Sequence, residues 1–304
     1  MDTVMTLTAY GPNGEAALDQ AAEEIRRLDA LLSTGSARSE VSQLNRAGEG
    51  PLSEDTEALA RRALELYEAT GGAFDFTIYP LMELWGFPTG EYHVPTEEEL
   101  AAVLPLVDAS QVRLSGGRLA LAPGQRIDFG GIAKGYTSDR VMEIFRENGV
   151  TSGVISLGGN VQVLGEKPDG SPWRIGIQDP EAPQGTPLAV AEVQDRAVVT
   201  SGGYERYFEE NGRTYIHILD PRTGCPVEGE LASVTVVSED GALADALSTA
   251  LYVMGREDAA AYWRSCGGTF DVVLLSREGE LFVSEGLQEA FHTQLPLTVL
   301  RLSG

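Results

Sequence analysis

The chain has 304 residues, 42% of them hydrophobic, which is enough for a sizeable core in one large domain or two interlocked ones. Its 22 Lys and Arg face 46 Asp and Glu, a formal net charge of -24. That excludes the basic stripe that nucleic acids require and disfavours anionic lipid surfaces. Two cysteines without a CxxC spacing specify neither a zinc cage nor a disulfide framework, and leave at most one bridge.

Thr3 to Ala9 alternates like a strand. The first ten residues lack the charged start and apolar stretch of a secretion signal, and no later run reaches the ~20 apolar residues that span a bilayer. A chain opening directly on a strand reads as one whose leader has been removed, with a cytoplasmic form as the alternative. Glu15 to Leu32 spaces Leu18, Ala21, Ile25, Leu28 and Leu32 for an amphipathic helix. A serine-rich loop and a short segment around Val41–Leu44 follow. Ser53 caps a helix running to about Thr70, and Gly71-Gly72 ends it. Thr96 and Glu99 form a capping box, and Arg113–Ala122 a hairpin turning at Gly116-Gly117.

Arg126–Phe129 reads as a short strand entering a glycine turn, then a helix through Glu147 closed by Gly149. Strands are predicted over Val154–Leu157, Val161–Leu164, Trp173–Gln178, Ala189–Val193, Ala197–Thr200, Thr214–Leu219 and Ser233–Val237. Helices over Gly241–Met254 and Asp258–Ser265 and a hairpin of Phe270–Ser276 with Glu280–Ser284 complete the order. Neither all-β nor a regular βαβ alternation, this predicts an α+β fold with mixed or antiparallel sheets and packed helices. No linker or repeat marks a domain boundary, so the chain reads as a single unit or two interlocked subdomains.

Four segments carry chemistry. Asp128–Tyr136 (DFGGIAKGY) leads a strand through a glycine turn into a helix. Such a turn offers backbone N–H groups and a helix N-terminus to an anion, with Lys134 adding charge, or it is a packing turn. Asp245 and Thr249 lie one turn apart on an otherwise apolar helix. A carboxylate there is costly to bury alone and suits a hard cation, or it lies on an exposed stripe or pairs with an Arg. His217, one of three histidines, precedes the turn residues Asp220-Pro221 and Thr223-Gly224, and reads as a general base or as a ring packed on the sheet. Thr70–Trp85 is an aromatic stripe, core by default, interrupted by Asp75.

Taken in order, these segments resemble the ApbE family, the FAD:protein FMN transferases. The resemblance rests on Met5 in the first strand, Ser39-Glu40 with Ser42-x-Leu44-Asn45, Gly72–Asp75 (GAFD), Pro80-Leu81 and Leu84–Phe87. It continues through Asp128–Tyr136 with Asp139, Gly158–Asn160, Trp173–Ile177, Thr200–Tyr204, His217–Pro226 and Ala244–Ala250. It implies a T-fold-related α+β architecture with a central FAD cleft, and magnesium held by Asp245, Thr249 and the Ala133 carbonyl. Met5, Ala73, Phe74, Asp75, Asp128, Lys134, Gly135 and Tyr136 would line or adjoin the FAD site, and His217 would act as base. The implied reaction moves FMN from FAD onto a Thr or Ser hydroxyl of an acceptor protein and releases AMP. The alternatives are a magnesium-dependent FAD pyrophosphatase and a non-catalytic flavin-binding protein.

Family resemblance further implies a membrane-tethered protein outside the cytoplasm, peripheral to the membrane, whose acceptors are membrane or exported redox proteins. One departure stands out: many members carry a tyrosine where this chain has Gly35, and Ser36-Ala37-Arg38 is also unlike the usual sequence. Without that aromatic platform, FAD is expected to lose ~1–3 kcal/mol of stacking and the cleft to be more open to water.

Overall fold

In the computed structural model, which describes residues 3–303, the first strand pattern becomes β1 (Met5–Tyr10) and the first amphipathic stretch α1 (Gly14–Leu32). The face of α1 that is buried runs through Ala17, Ala21, Ile25, Leu28 and Leu32, with Leu18 only half-buried. Two compact units emerge from the chain. Of the described residues, one comprises Arg27–Ala133 and Gly203–Glu228; the other holds 3–26, Lys134–Gly202 and 229–303.

In the first unit, Ser39 accepts from Ser42 N and starts α2 (Glu40–Ala47) where the sequence showed only a short segment. Gly48, at φ 76°, ends it. β2 (Glu49–Pro51) leads to α3 (Glu54–Ala69), capped by Ser53, then α4 (Tyr79–Leu84) and α5 (Glu97–Val103), which carries the expected Thr96–Glu99 capping box. β3 (Arg113–Ser115) and β4 (Arg118–Ala120) form the predicted hairpin, and β2 joins it in the order β2-β4-β3.

Arg126–Phe129 is not a strand. Asn45 replaces the neighbouring strand there: its Nδ2 donates to the Ile127 carbonyl and its Oδ1 accepts from Ile127 N, both at 2.8 Å. A side-chain amide thus satisfies the backbone pair that a ladder would otherwise serve.

The second unit is built on an eight-stranded sheet in the order β1-β5-β6-β9-β12-β13-β14-β16. Its members are β5 (Ser152–Leu157), β6 (Asn160–Leu164), β9 (Ala197–Gly202), β12 (Leu231–Ser238), β13 (Asp271–Ser276), β14 (Leu281–Ser284) and β16 (Leu297–Leu300). All neighbours are antiparallel except β14 and β16. A smaller sheet of β15 (Phe291–Thr293), β8 (Pro187–Val193) and β7 (Trp173–Gln178) covers one face. Ala189, Ala191, Ile177 and Phe291 meet Val163, Val198, Val237 and Val273 there in one apolar core.

α6 (Ala133–Glu147), α7 (Gly241–Met254) and α8 (Arg256–Ser265) complete this unit's helices, with α7 packed on β9 and β12. The α7 face is almost wholly apolar, so burying it anchors the helix, and with it Asp245, on the sheet. Among the described residues, no helix is long and apolar enough to cross a membrane.

Back in the first unit, β10 (Tyr207–Glu210) pairs with β11 (Arg213–Ile216). β11 stops one residue short of His217, whereas the sequence pattern carried the strand to Leu219. Leu81, Trp85, Phe87, Phe208 and Leu219 form the local core, and Trp85 Nε1 donates to the Gly224 carbonyl at 2.8 Å.

Replacing Asn45 by Ala removes both bonds to Ile127, and should lower the urea midpoint by the equivalent of about 1–3 kcal/mol. A midpoint equal to that of the parent chain would show that packing alone holds the 126–129 segment.

Candidate functional site

The glycine turn is closed from within. The Phe129 carbonyl accepts from Ile132 N at 2.9 Å and Ala133 N at 2.8 Å, and Gly130 N donates to Asp128 Oδ1 at 2.8 Å. Where α6 begins, Gly135 N donates to Asp245 Oδ2 at 2.9 Å, and the Lys134 amide also favours that carboxylate. The helix N-terminus that the sequence offered to a phosphate is therefore capped by a carboxylate of this same chain. An N-terminal dipole favours any nearby anion, and the fold supplies one.

Only glycine allows this approach. A Cβ on Gly135 would lie 2.1 Å from the Gly241 carbonyl oxygen and 2.8 Å from Asp245 Cβ. One on Gly241 would lie 2.8 Å from the Gly135 carbonyl oxygen. The backbones of α6 and α7 touch, which brings the carboxylate onto the amide.

Asp245 is 4% exposed, and burial pushes its carboxyl above the usual carboxylate range. The Lys134 charge, the Gly135 amide and the Asn160 side chain oppose that rise. Asn160, 1% exposed at the start of β6, faces this carboxylate, yet neither of its amide atoms makes a hydrogen bond of full geometry. One turn along α7, Thr249 Oγ1 lies 3.2 Å from Ser201 Oγ, which also bonds Ser248 Oγ at 2.8 Å.

A buried carboxylate and the hydroxyls one turn along the same helix are oxygen donors suited to a hard cation such as magnesium. Among the described residues no three His, Cys, Asp or Glu side chains group as a metal cluster, so a cation here relies on a single carboxylate with neutral oxygens. Met5 opens β1 opposite Leu157, the last residue of β5, and Tyr136 is half-buried in the first turn of α6.

In the first unit, Ala73, Phe74 and Asp75 are 4%, 5% and 6% exposed. Asp75 ties its own loop together. Oδ1 accepts from Thr77 N at 2.7 Å and Thr77 Oγ1 at 2.6 Å, and Oδ2 from Ala109 N at 3.1 Å. Burial raises the carboxyl of Asp75, and these bonds hold it back. Asp128 is raised by the same cause, against the Gly130 amide and the Arg206 charge.

His217 is half-buried, with its ring edge-on to Phe87 at 6.5 Å between centroids. Nδ1 lies 3.1 Å from the Arg206 carbonyl oxygen. A carbonyl only accepts, so this bond assigns the proton to Nδ1 and makes Nε2 the basic atom.

Sequence reasoning gave no role to Asn160, Ser201, Gln162 or Asp139. Asp139 Oδ1 accepts from Gly241 N and Gln162 Nε2, both at 2.8 Å, and Oδ2 from Ala242 N at 2.9 Å. Burial raises its carboxyl to about 6, against those three donors. A signal was present: glycine precedes aspartate by one helical turn both at Gly135–Asp139 and at Gly241–Asp245.

The ApbE family profile matches residues 1–274. An FAD:protein FMN transferase of Klebsiella pneumoniae is 34% identical over 290 residues, covering 93% of this chain and 89% of the relative. Its counterpart in Treponema pallidum is 33% identical over 291 residues, covering 90% and 80%. Among solved structures, the ApbE protein of Thermotoga maritima superposes with a TM-score of 0.88 at 33% identity, covering 95% of this chain and 96% of that one. The apo flavinyl transferase ApbE of Pseudomonas stutzeri gives 0.84 at 34% identity, covering 96% and 94%.

Gly to Ala inside a helix ordinarily stabilises by about 0.5–1 kcal/mol. At Gly135 the sign should reverse, because the new methyl overlaps backbone at 2.1 Å: G135A is expected to cost about 1–3 kcal/mol in chemical denaturation. Stabilisation instead would show that α6 and α7 do not make this close crossing.

Proposed function

The chain belongs to the ApbE family, and on that premise we propose that it transfers FMN from FAD to a Thr or Ser hydroxyl of an acceptor protein, releasing AMP. The observation that carries this reading is buried Asp245 with half-buried Thr249 one turn along the same helix, and Lys134 close to the carboxylate. Its residues fit magnesium, with Asp245, Thr249 and the Ala133 carbonyl as the proposed ligands. When bound, the ion would neutralise pyrophosphate charge, which phosphoryl transfer needs more than covalent help.

The chain's own groups supply the rest. Lys134 adds a positive charge at the start of α6, beside Gly135 and Tyr136, and because the amides there are already engaged we assign that side chain to the phosphate-bearing part of FAD. Met5 and the loop of Ala73, Phe74 and Asp75 are assigned to the FAD wall, the loop contributing its shape, since Asp75 spends its oxygens on Thr77 and Ala109. Asp128 has the same supporting role, holding Gly130 in the turn. His217 takes the acceptor's hydroxyl proton at Nε2 as that oxygen bonds to the FMN phosphorus. The bond from phosphorus to the AMP oxygen breaks, and AMP leaves with the electron pair. A placed base of this kind contributes roughly 10²–10⁴-fold. The acceptor is proposed to be a membrane or exported redox protein met outside the cytoplasm, as the family resemblance implies.

Gly35 favours a second product. It is exposed, and a Cβ there would meet only Ser33 Oγ at 3.8 Å, so the position is open to solvent. Water replacing the acceptor would yield FMN and AMP.

The test mixes the full chain with FAD, magnesium and a threonine-bearing acceptor, and follows in-gel flavin fluorescence and AMP. Labelled acceptor is expected. AMP with free FMN and no label would leave only the pyrophosphatase, and yellow protein with neither product would leave a flavin carrier. D245A should abolish magnesium-dependent turnover, and full activity in that variant removes the cation assignment. H217A should slow transfer by roughly 10²-fold or more with FAD affinity nearly intact; a collapse of binding would make His217 structural.

G35Y has room to fold and should tighten FAD about tenfold in a fluorescence titration, by restoring a stacking surface. It should also shift product from free FMN toward labelled acceptor. An unchanged Kd would place residue 35 outside the flavin site.

A further inference from the structure

α6 and α7 hold each other through a reciprocal exchange of carboxylates. Asp245, one turn into α7, accepts the Gly135 amide of α6 at 2.9 Å. Asp139, one turn after Gly135 on α6, accepts the Gly241 and Ala242 amides of α7 at 2.8 and 2.9 Å. These are amides at a helix start, which have no partner inside their own helix. Asp240 caps the next one, Leu243 N, at 2.7 Å.

Strand β6 braces both corners. Gln162 Nε2 donates to Asp139 at 2.8 Å, while Asn160 faces Asp245. Residues two apart on a strand share a face, so one strand serves both carboxylates. A Cβ on Gly241 would also lie 2.8 Å from Asp139 Oδ1 and 2.9 Å from Gln162 Oε1, so the corner is filled to backbone contact.

We propose that Asp139 is a positioning residue for the cation site: by pinning the first turn of α7 to α6 and β6, it sets where Asp245 and Thr249 present their oxygens. The inference rests on the cation reading above. α7 is continuous from Gly241 through Thr249, so a shift at its first turn is passed along a stiff rod to both oxygens. Asp245 alone cannot hold the register. Its single well-formed bond to Gly135 acts at one point, and α7 could pivot about it. The bonds from Asp139 lie a full turn away on the same crossing and remove that freedom. Asp139 does not touch the proposed ligands, and its role is exerted through the helix. A plain helix cap at the same place would contribute stability without affecting ion affinity, and that difference is measurable.

The experiment titrates Mn²⁺ into the full chain by electron paramagnetic resonance and records melting curves with and without magnesium, for the parent, D139N, D240A, Q162L and D245A. D139N keeps the side-chain size but loses the charge and half of the acceptors, and its Mn²⁺ Kd should rise roughly tenfold, the usual size for a group supporting a metal ligand. Its melting temperature without metal should fall by no more than that of D240A. D240A removes an ordinary cap from the same helix and should leave Kd within about twofold. Q162L should weaken Mn²⁺ in the same direction by a smaller factor, and it carries the test if D139N does not fold. Parent-like affinity in D139N, or in Q162L when it stands alone, overturns the proposal. So does a loss in D240A equal to that in D139N, which would mean general fraying of α7. Undiminished binding in D245A would instead overturn the cation reading, and leave Asp139 as a helix cap.

Discussion

The structure of the second unit depends on the close crossing of α6 and α7 at Gly135 and Gly241. Carboxylates resist burial unless compensated, and here the compensation is mutual, because each helix carries the anion that the other's N-terminus requires. In this crossing the backbones are in contact, because a Cβ on Gly135 would lie 2.1 Å from the Gly241 carbonyl oxygen. Two glycines are therefore as much a part of the site as the acids. The near-continuous apolar face of α7 on β9 and β12 supplies the burial that holds the crossing closed.

A net charge of -24 says nothing against a local site for an anion. The acidity is overwhelmingly a solvated surface property, and it carries little information about the interior. At Asp245 the local balance is a single buried carboxylate, a lysine and several dipoles, the Asn160 carboxamide among them. A divalent ion would complete that balance, and the family to which the chain belongs is consistent with a reaction on a pyrophosphate.

The first unit works by a different economy, in which side chains stand in for secondary structure. Asn45 takes the place of a strand partner for Ile127, and Asp75 closes its loop through Thr77 and Ala109. The Arg206 carbonyl selects the tautomer of His217. The result is irregular backbone held in a definite shape, which suits a surface that must present groups to a ligand.

Much of this was legible in one dimension. Caps at Ser53 and at Thr96 with Glu99, the hairpin at Gly116-Gly117, the span of α7 and most strands follow from local rules, because caps, turns and hydrophobic period act over a few residues. Short strands with little periodicity, β2, β10, β15 and β16, escaped notice, since three or four residues carry too little pattern to register. The supposed strand at 126–129 failed for the opposite reason: an extended segment looks like a strand whether its partner is a ladder or Asn45, some eighty residues away. Asp245 and Thr249 could be named from their spacing, but what meets them could not. That Asp245 caps α6, that Asp139 returns the bond and that Asn160 faces Asp245 depend on contacts between segments far apart in the chain, which burial of the whole sheet brings together. Local chemistry along a chain is written residue by residue, whereas the desolvation that shifts a carboxylate's pKa exists only once distant segments have excluded water around it.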